Sequence, residues 1–249
     1  MPKYILTLFS LFFCTTIGFA QTATEFENWL AQLSHNDFES DSTITKIINT
    51  LEAPNFPFQT FKKNYKPLES DNHRLSIFSL DLHNEGSYQP FANFLCYEFP
   101  NGKRMVKLLD YVMAIDQVEE LPDCCGTNAY LLSGTLHGCI SCVEHIAFII
   151  NVNENAFDEI ASVSLATRDY SKKLTIDTEN NLIAFDFTYD PSDEHNDLRI
   201  ENMQEDSYSL KDDPFIHLRF SKSCSDSTLI HVKGIISITL NGHFQLGGN

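Results

Sequence analysis

Two histidines and four cysteines crowd a short stretch of the chain. Cys124-Cys125-Gly126 is followed by His137, Cys139, Cys142 and His145, which spell H-x-C-x-x-C-x-x-H. Thiolates and imidazoles are the ligands of Zn and Cu(I), so this spacing makes one candidate metal centre. The C-x-x-C within it is also the spacing of a redox pair. Such pairs open a helix, whose N-terminus lowers the thiol pKa; here the surrounding sequence is strand-like, which weighs against that use. The third use is stapling. With Cys96 and Cys224 the cysteines beyond residue 20 form an even set, as expected of disulfides in an oxidising compartment. Cys124 and Cys125 do not suit each other, because neighbouring cysteines need an unusual peptide geometry. The expectation is a local bridge from Cys124 or Cys125 to Cys139 or Cys142, folded back at Gly126 and Gly138. A second bridge is expected between Cys96 and Cys224.

The acids offer less. Asp190, Asp193, Glu194 and Asp197 crowd one segment, with Asp186, His195 and Asn196 beside them. Closely spaced oxygen ligands suit Ca²⁺, but the EF-hand spacing and its central glycine are missing. A solvated hairpin tip is the favoured reading. Glu119, Glu120 and Asp123 read as a polar turn. There is no G-x-S-x-G elbow, no H-E-x-x-H, no P-loop and no dinucleotide fingerprint. Glu144-His145 lacks the second histidine of a zincin helix. A carboxylate pair for glycoside hydrolysis converges only in space, so no sequence spacing marks it. No motif specifies a cofactor.

The N-terminus bears on compartment. Lys3 precedes an apolar run from Tyr4 to Phe13, and Gly18 and Ala20 are small residues ahead of Gln21. A positive start, a short apolar core and a small-x-small end predict a secretory signal cleaved after Ala20. Cys14 follows Phe12 and Phe13, which are too bulky for a lipoprotein site. The apolar core is short of the roughly 20 residues that a spanning helix needs, and no later stretch is long enough. Export to the periplasm or beyond is therefore expected, with no transmembrane segment after cleavage. The formal charge is −17, and cleavage removes one lysine and no acid. Such a chain suits neither a phosphate backbone nor an anionic membrane, so nucleic acid is excluded as a partner. Its acidity keeps an exported protein soluble.

The elements that must position these groups begin with two helices. Phe26, Trp29, Leu30 and Leu33 line one face over 22–35, with Thr24 as N-cap. Ile44, Ile47, Ile48 and Leu51 do so over 43–51, capped by Asp41 or Ser42 and ended by Pro54. Pro54, Pro57 and Pro67 mark an extended connector. Beyond it the period becomes two. Strands are expected over 75–81, 94–99, 104–109, 129–136, 143–152, 160–166, 174–177, 182–188, 215–220, 229–235, 237–240 and 244–246. Asn101-Gly102 and Asn241-Gly242 are tight hairpin turns. The fold class is mainly β: an antiparallel sandwich, barrel or partial propeller over residues 70–249, preceded by a helical segment over 21–69.

Ser70 to Tyr97 carries a resemblance. Asp71-Asn-His-Arg-Leu-Ser-Ile-Phe-Ser-Leu-Asp81, then Glu85-Gly86-Ser87, Phe91-Ala-Asn93 and Tyr97, is similar to a strand–turn–strand unit of an uncharacterised family of exported β-rich proteins from Bacteroidota-type bacteria. Asn181 to Tyr189 and Leu240 to Phe244 are similar in place and order, so the resemblance spans about residues 70–246. Leu80 stands where the family has Trp, and Glu85-Gly86 where it has paired glycines. The resemblance implies compartment and β fold, and it brings no catalytic residues.

Together these readings point to an exported, non-catalytic binding or interaction module of the cell envelope. The alternatives are a hydrolase whose site is assembled from distant strands, and a metal protein using residues 137–145.

Overall fold

The computed structural model describes residues 23–33, 37, 40–82, 90–121, 128–139, 142–167, 174–177, 182–189, 197–202, 208–209, 223–224, 230–238 and 244–246. At 138–139, 167, 186–189, 200–202 and from 208 onward, Ile236 excepted, the description is of the backbone. The signal segment lies outside these residues, as do Cys124, Cys125, Asp123, Asp190, Asp193, Glu194, the turns at 179–181 and 241–242, and the strand expected over 215–220.

Mainly β structure with antiparallel sheets is what the chain adopts. Three helices come first: α1 (residues 23–30), α2 (Asp41–Glu52) and α3 (Phe58–Tyr65). The α2 stripe is as expected, with Ile47 and Leu51 buried. Its N-cap is Ser40 rather than Asp41 or Ser42, and Ser40 Oγ meets Ser42 Oγ at 2.6 Å. Helix α3 occupies what reads as an extended connector. Pro57 sits at its N-cap, where the missing N–H costs nothing. The helix ends at Lys66, which takes the left-handed conformation (φ 45°) just before Pro67.

Three sheets follow. The first has the order β1-β2-β3-β4, from Leu68–Glu69, Leu75–Asp81, Phe91–Glu98 and Arg104–Leu108. The second has the order β12-β11-β8-β7-β6-β5, from Tyr208–Ser209, Asp197–Asn202, Phe157–Thr167, Cys142–Val152, Ala129–Cys139 and Ala114–Glu120. The third runs β13-β14-β10-β9, with β15 also on β14: Ser223–Cys224, Ile230–Ile238, Leu182–Tyr189, Thr175–Asp177 and Phe244–Leu246. The strands expected over 229–235 and 237–240 are one strand, β14, as far as Ile238. Every pairing among the described strands is antiparallel, from the β2–β3 register Leu75↔Tyr97 to the β10–β14 register Phe185↔Gly234. Among the described residues each sheet has two ends, and none closes on itself as a barrel.

The layers follow from alternation along the strands. In the six-stranded sheet, Leu131, Ala147, Ile149, Val163 and Leu165 face Ile183, Phe185 and Ile236 of the third sheet. Tyr130, Leu132, Ile146, Phe148 and Ile150 face the other way, onto Leu75, Ile77, Leu95 and Tyr97 of the first sheet. The far side of the first sheet, with Phe78, Phe94, Cys96 and Val106, is covered by Phe26, Leu30, Ile47, Leu51, Phe58 and Phe61 of the helices. Helices and three sheets thus stack as four layers around three apolar seams. Phe61 sits centrally in the helix seam, with ring centroids 4.9 Å from Phe78 and 4.5 Å from Tyr65.

Three contacts fix how the layers join. Asn93 is fully buried. Its amide donates to the carbonyls of Tyr111 (2.9 Å) and Met113 (2.8 Å), and its Oδ1 accepts from Ser79 Oγ (2.7 Å). It thereby holds the segment that crosses from β4 to β5. Gly134 lies beneath β5, where an added Cβ would stand 2.1 Å from the Ala114 carbonyl oxygen, so only glycine lets these backbones meet. The edge of β4 is covered: Val106 N–H donates to Glu52 Oε1 at 2.7 Å, and Arg104 Nη2 donates to the Ala53 carbonyl at 3.0 Å. An edge amide that could pair with another chain is thereby used up.

Candidate functional site

The metal set does not assemble among the described side chains. Strand β7 alternates regularly from Cys142 to Ile149, so Cys142 projects from one face and Val143 and His145 from the other. His137 pairs with Val143 and His145 with Thr135, which puts both imidazoles on the face opposite Cys142. His145 Nδ1 lies 3.4 Å from Thr135 Oγ1. No three described His, Cys, Asp or Glu side chains converge on a point. Cys142 is moreover disulfide-bonded, and an oxidised sulfur is no thiolate ligand. The other sulfur is not among the described side chains. As for the redox reading, Cys139 and Cys142 face each other across the β6–β7 hairpin, past a bulge after His137. Among the described residues no helix N-terminus lies there to stabilise a thiolate.

The expected bridge from Cys96 to Cys224 is not formed. Cys96 is a free, buried thiol. It projects from β3 into the seam between the first sheet and the helices, among Phe78, Phe94 and Val106, whereas Cys224 belongs to the third sheet. Burial pushes its pKa up to about 12, with smaller effects from Arg104 and Glu98, so it packs there as a small neutral side chain. The acids differ too. Glu119 and Glu120 are strand residues of β5, paired with Leu131 and Tyr130, not a turn. Of the calcium candidates, Asp197 opens β11 almost fully buried, and its Oδ2 accepts from Arg199 Nε at 2.7 Å. Its three companions lie outside the described residues.

The structure instead brings together residues that no spacing marks. The tips of the β3–β4 and β7–β8 hairpins flank a depression of about 340 Å³, lined by Phe99, Pro100, Asn101, Lys103, Glu154 and Asn155. That volume is at the lower end of the roughly 300–1,000 Å³ typical of small-molecule sites.

Both walls are tied down by their own turns. Phe99 N–H donates to the Lys103 carbonyl and Gly102 N–H to the Phe99 carbonyl, each at 2.9 Å. Asn101 Oδ1 accepts from Lys103 N–H at 2.9 Å, and Gly102 takes φ +78°, as the Asn-Gly signal requires. Opposite, Asn153 Oδ1 accepts from the N–H groups of Asn155 (2.9 Å) and Ala156 (2.8 Å), and its amide donates to Asp158 Oδ2 (2.6 Å).

The floor is aromatic. Phe99 meets Tyr97 edge to face, with centroids 4.9 Å apart and planes at 75°. Lys103 Nζ stands 5.9 Å from the centre of the Phe99 ring. Tyr97 Oη donates to Asn128 Oδ1 at 2.8 Å, and the Asn128 carbonyl accepts from Val152 N–H at 2.9 Å. Asn72 Nδ2 donates to Tyr130 Oη at 3.0 Å, beside Tyr97. Burial pushes the Tyr130 hydroxyl well above its usual range, so it stays protonated. The tyrosines and amides thus join one hairpin wall to the other through the seam between two sheets.

No family model, curated protein or solved structure matches the chain. Among the described residues no helix is long and apolar enough to cross a membrane.

Proposed function

We propose that the protein is an exported, non-catalytic binding module of the cell envelope, and that it takes a polar ligand in the depression between the two hairpins. The single observation that carries this is the make-up of the lining: one aromatic ring, one proline, two carboxamides, one ammonium and one carboxylate on walls fixed by internal hydrogen bonds. Walls ordered before binding cost little to order on binding. A hydrolase of the two-carboxylate kind would need a second acid, and this lining has Glu154 alone. Export rests on the N-terminal signal pattern and on the resemblance to exported β-rich proteins.

Two measurements test the proposal. N-terminal sequencing of the protein recovered outside the cytoplasm should begin at Gln21; an intact Met1 there would refute the signal. A thermal-shift screen of polar small molecules against the mature protein should find a ligand that raises Tm in the wild type and not in Phe99→Ala. Mass spectrometry should recover that ligand unchanged after prolonged incubation. A cleaved ligand would establish the hydrolase instead.

A further inference from the structure

We infer that the depression binds a neutral oligosaccharide, one or two sugar units deep; this rests on the binding reading above. Charge is the first reason. The site holds one cation, Lys103, and one anion, Glu154, on a chain whose formal charge is −17. A phosphate or polyanionic ligand needs an excess of cations, and a polycation an excess of acids; the site offers neither.

The second reason is the backbone. An extended peptide is usually held by main-chain N–H and C=O groups on a free strand edge. Here the N–H groups of Phe99, Gly102, Lys103, Asn155 and Ala156 are already spent within their own turns. With these amides taken, recognition falls mainly to side chains.

Those side chains suit hydroxyl groups. A hydroxyl both donates and accepts, and so does a carboxamide; Asn101 and Asn155 are matched to it, with Lys103 as donor and Glu154 as acceptor. The Phe99 ring, held on edge by Tyr97, together with Pro100 offers a flat apolar surface for the C–H face of a pyranose. Hydroxyls around the rim and C–H groups across the face are the chemistry of a sugar ring.

Isothermal titration calorimetry of the mature protein with cellohexaose, laminarihexaose, maltohexaose and chitohexaose tests this, with uncharged hexapeptides as a second panel. At least one sugar should bind. Phe99→Ala should weaken it about tenfold or more, equivalent to about 1.4 kcal/mol. Asn155→Ala should weaken it severalfold; both variants should keep the wild-type circular dichroism, with Phe99→Ala lowering Tm because its ring packs on Tyr97. Sugar binding that both variants leave unchanged would overturn the site. Phe99-dependent binding of a peptide and of no sugar would overturn the ligand class while leaving the binding module standing. Binding of neither panel would overturn the sugar proposal, and the thermal-shift screen then decides the broader reading separately.

Discussion

Tyr97 and Asn128 meet at 2.8 Å across the seam between the first and second sheets, the tyrosine hydroxyl donating to the amide oxygen. Tyr97 lies two residues before Phe99 in one wall, and the Asn128 carbonyl accepts the Val152 N–H just before the turn that forms the other. Tyr97→Phe removes that donor and leaves the ring in place. Urea unfolding should show a loss of about 1 kcal/mol, the usual net worth of one hydrogen bond. Unchanged stability would mean that the contact is not maintained in solution.

Asn93 should matter more. Its replacement by Leu leaves the Tyr111 and Met113 carbonyls and the Ser79 hydroxyl short of a partner in a dry seam. Each orphaned group costs about 1–3 kcal/mol, so a loss of several kcal/mol, or failure to fold, is expected. A loss below about 1 kcal/mol would show that water replaces the amide.

Glu69 gives the protein an acid-sensitive tie. Burial alone would raise its pKa, but Lys62 and His73 outweigh burial and hold it below the usual carboxylate range. The carboxylate contacts Lys62 Nζ, and His73 Nδ1 lies 3.2 Å from its Oε2. A carboxyl whose pKa is lower in the folded than in the unfolded state stabilises the fold above the unfolded pKa. That contribution is lost as pH falls through the lowered value. Glu69→Gln should therefore cost less than about 1 kcal/mol at pH 7, because the pair is partly exposed. The difference from wild type should shrink as pH falls below the ordinary carboxylate pKa of 4.5. A difference that grows toward acid would reverse the assignment.

The thiols can be counted directly. Cys96 should resist alkylation in the native protein and react once guanidinium opens the helix seam, since its thiol is buried and pushed up to about 12. A non-reducing peptide map should place Cys142 in a bridge. Cys139 lies opposite Cys142 in the β6–β7 hairpin, whereas Ala129 stands at the far end of β6, roughly 30 Å away. Cys124 and Cys125 lie too few residues before Ala129 to reach Cys142, so Cys139 is the expected partner. A linked peptide containing Cys96 and Cys224 would contradict the structure.

Several elements were legible because local pattern and tertiary burial agree. The alternation from Leu75 to Asp81 is strand β2 with the same ends, and the Ile44–Leu51 stripe is the buried side of α2. Helix α3 was hidden because prolines flank it, and prolines announce an extended chain unless one happens to cap a helix. Strand β5 was hidden by Asp116, Glu119 and Glu120, acids that an edge strand tolerates and that a sequence reader assigns to a turn. The depression was illegible for a different reason. Phe99 and Glu154 come from separate hairpins, brought together only by stacking one sheet on another. Asn101-Gly102 signalled a turn, and nothing in the sequence said what would face it. The cysteine spacing suggested a metal set, yet strand alternation turns Cys142 away from both histidines.

The excursion between β8 and β11 has a kinetic consequence. The chain leaves the second sheet at Thr167, lays down β9 and β10 in the third, and returns to pair Asp197 with Ala166. Strand β10 then waits for β14, far along the chain, to cover its other side. Pairings of long sequence separation close slowly, after local ones have formed. Until Ile230–Ile238 arrives, β10 presents a bare row of amides next to the apolar Ile183 and Phe185. The C-terminal strands act as the latch of the molecule. A chain stopped before Ile230 should keep its helices and first sheet and self-associate through that open edge.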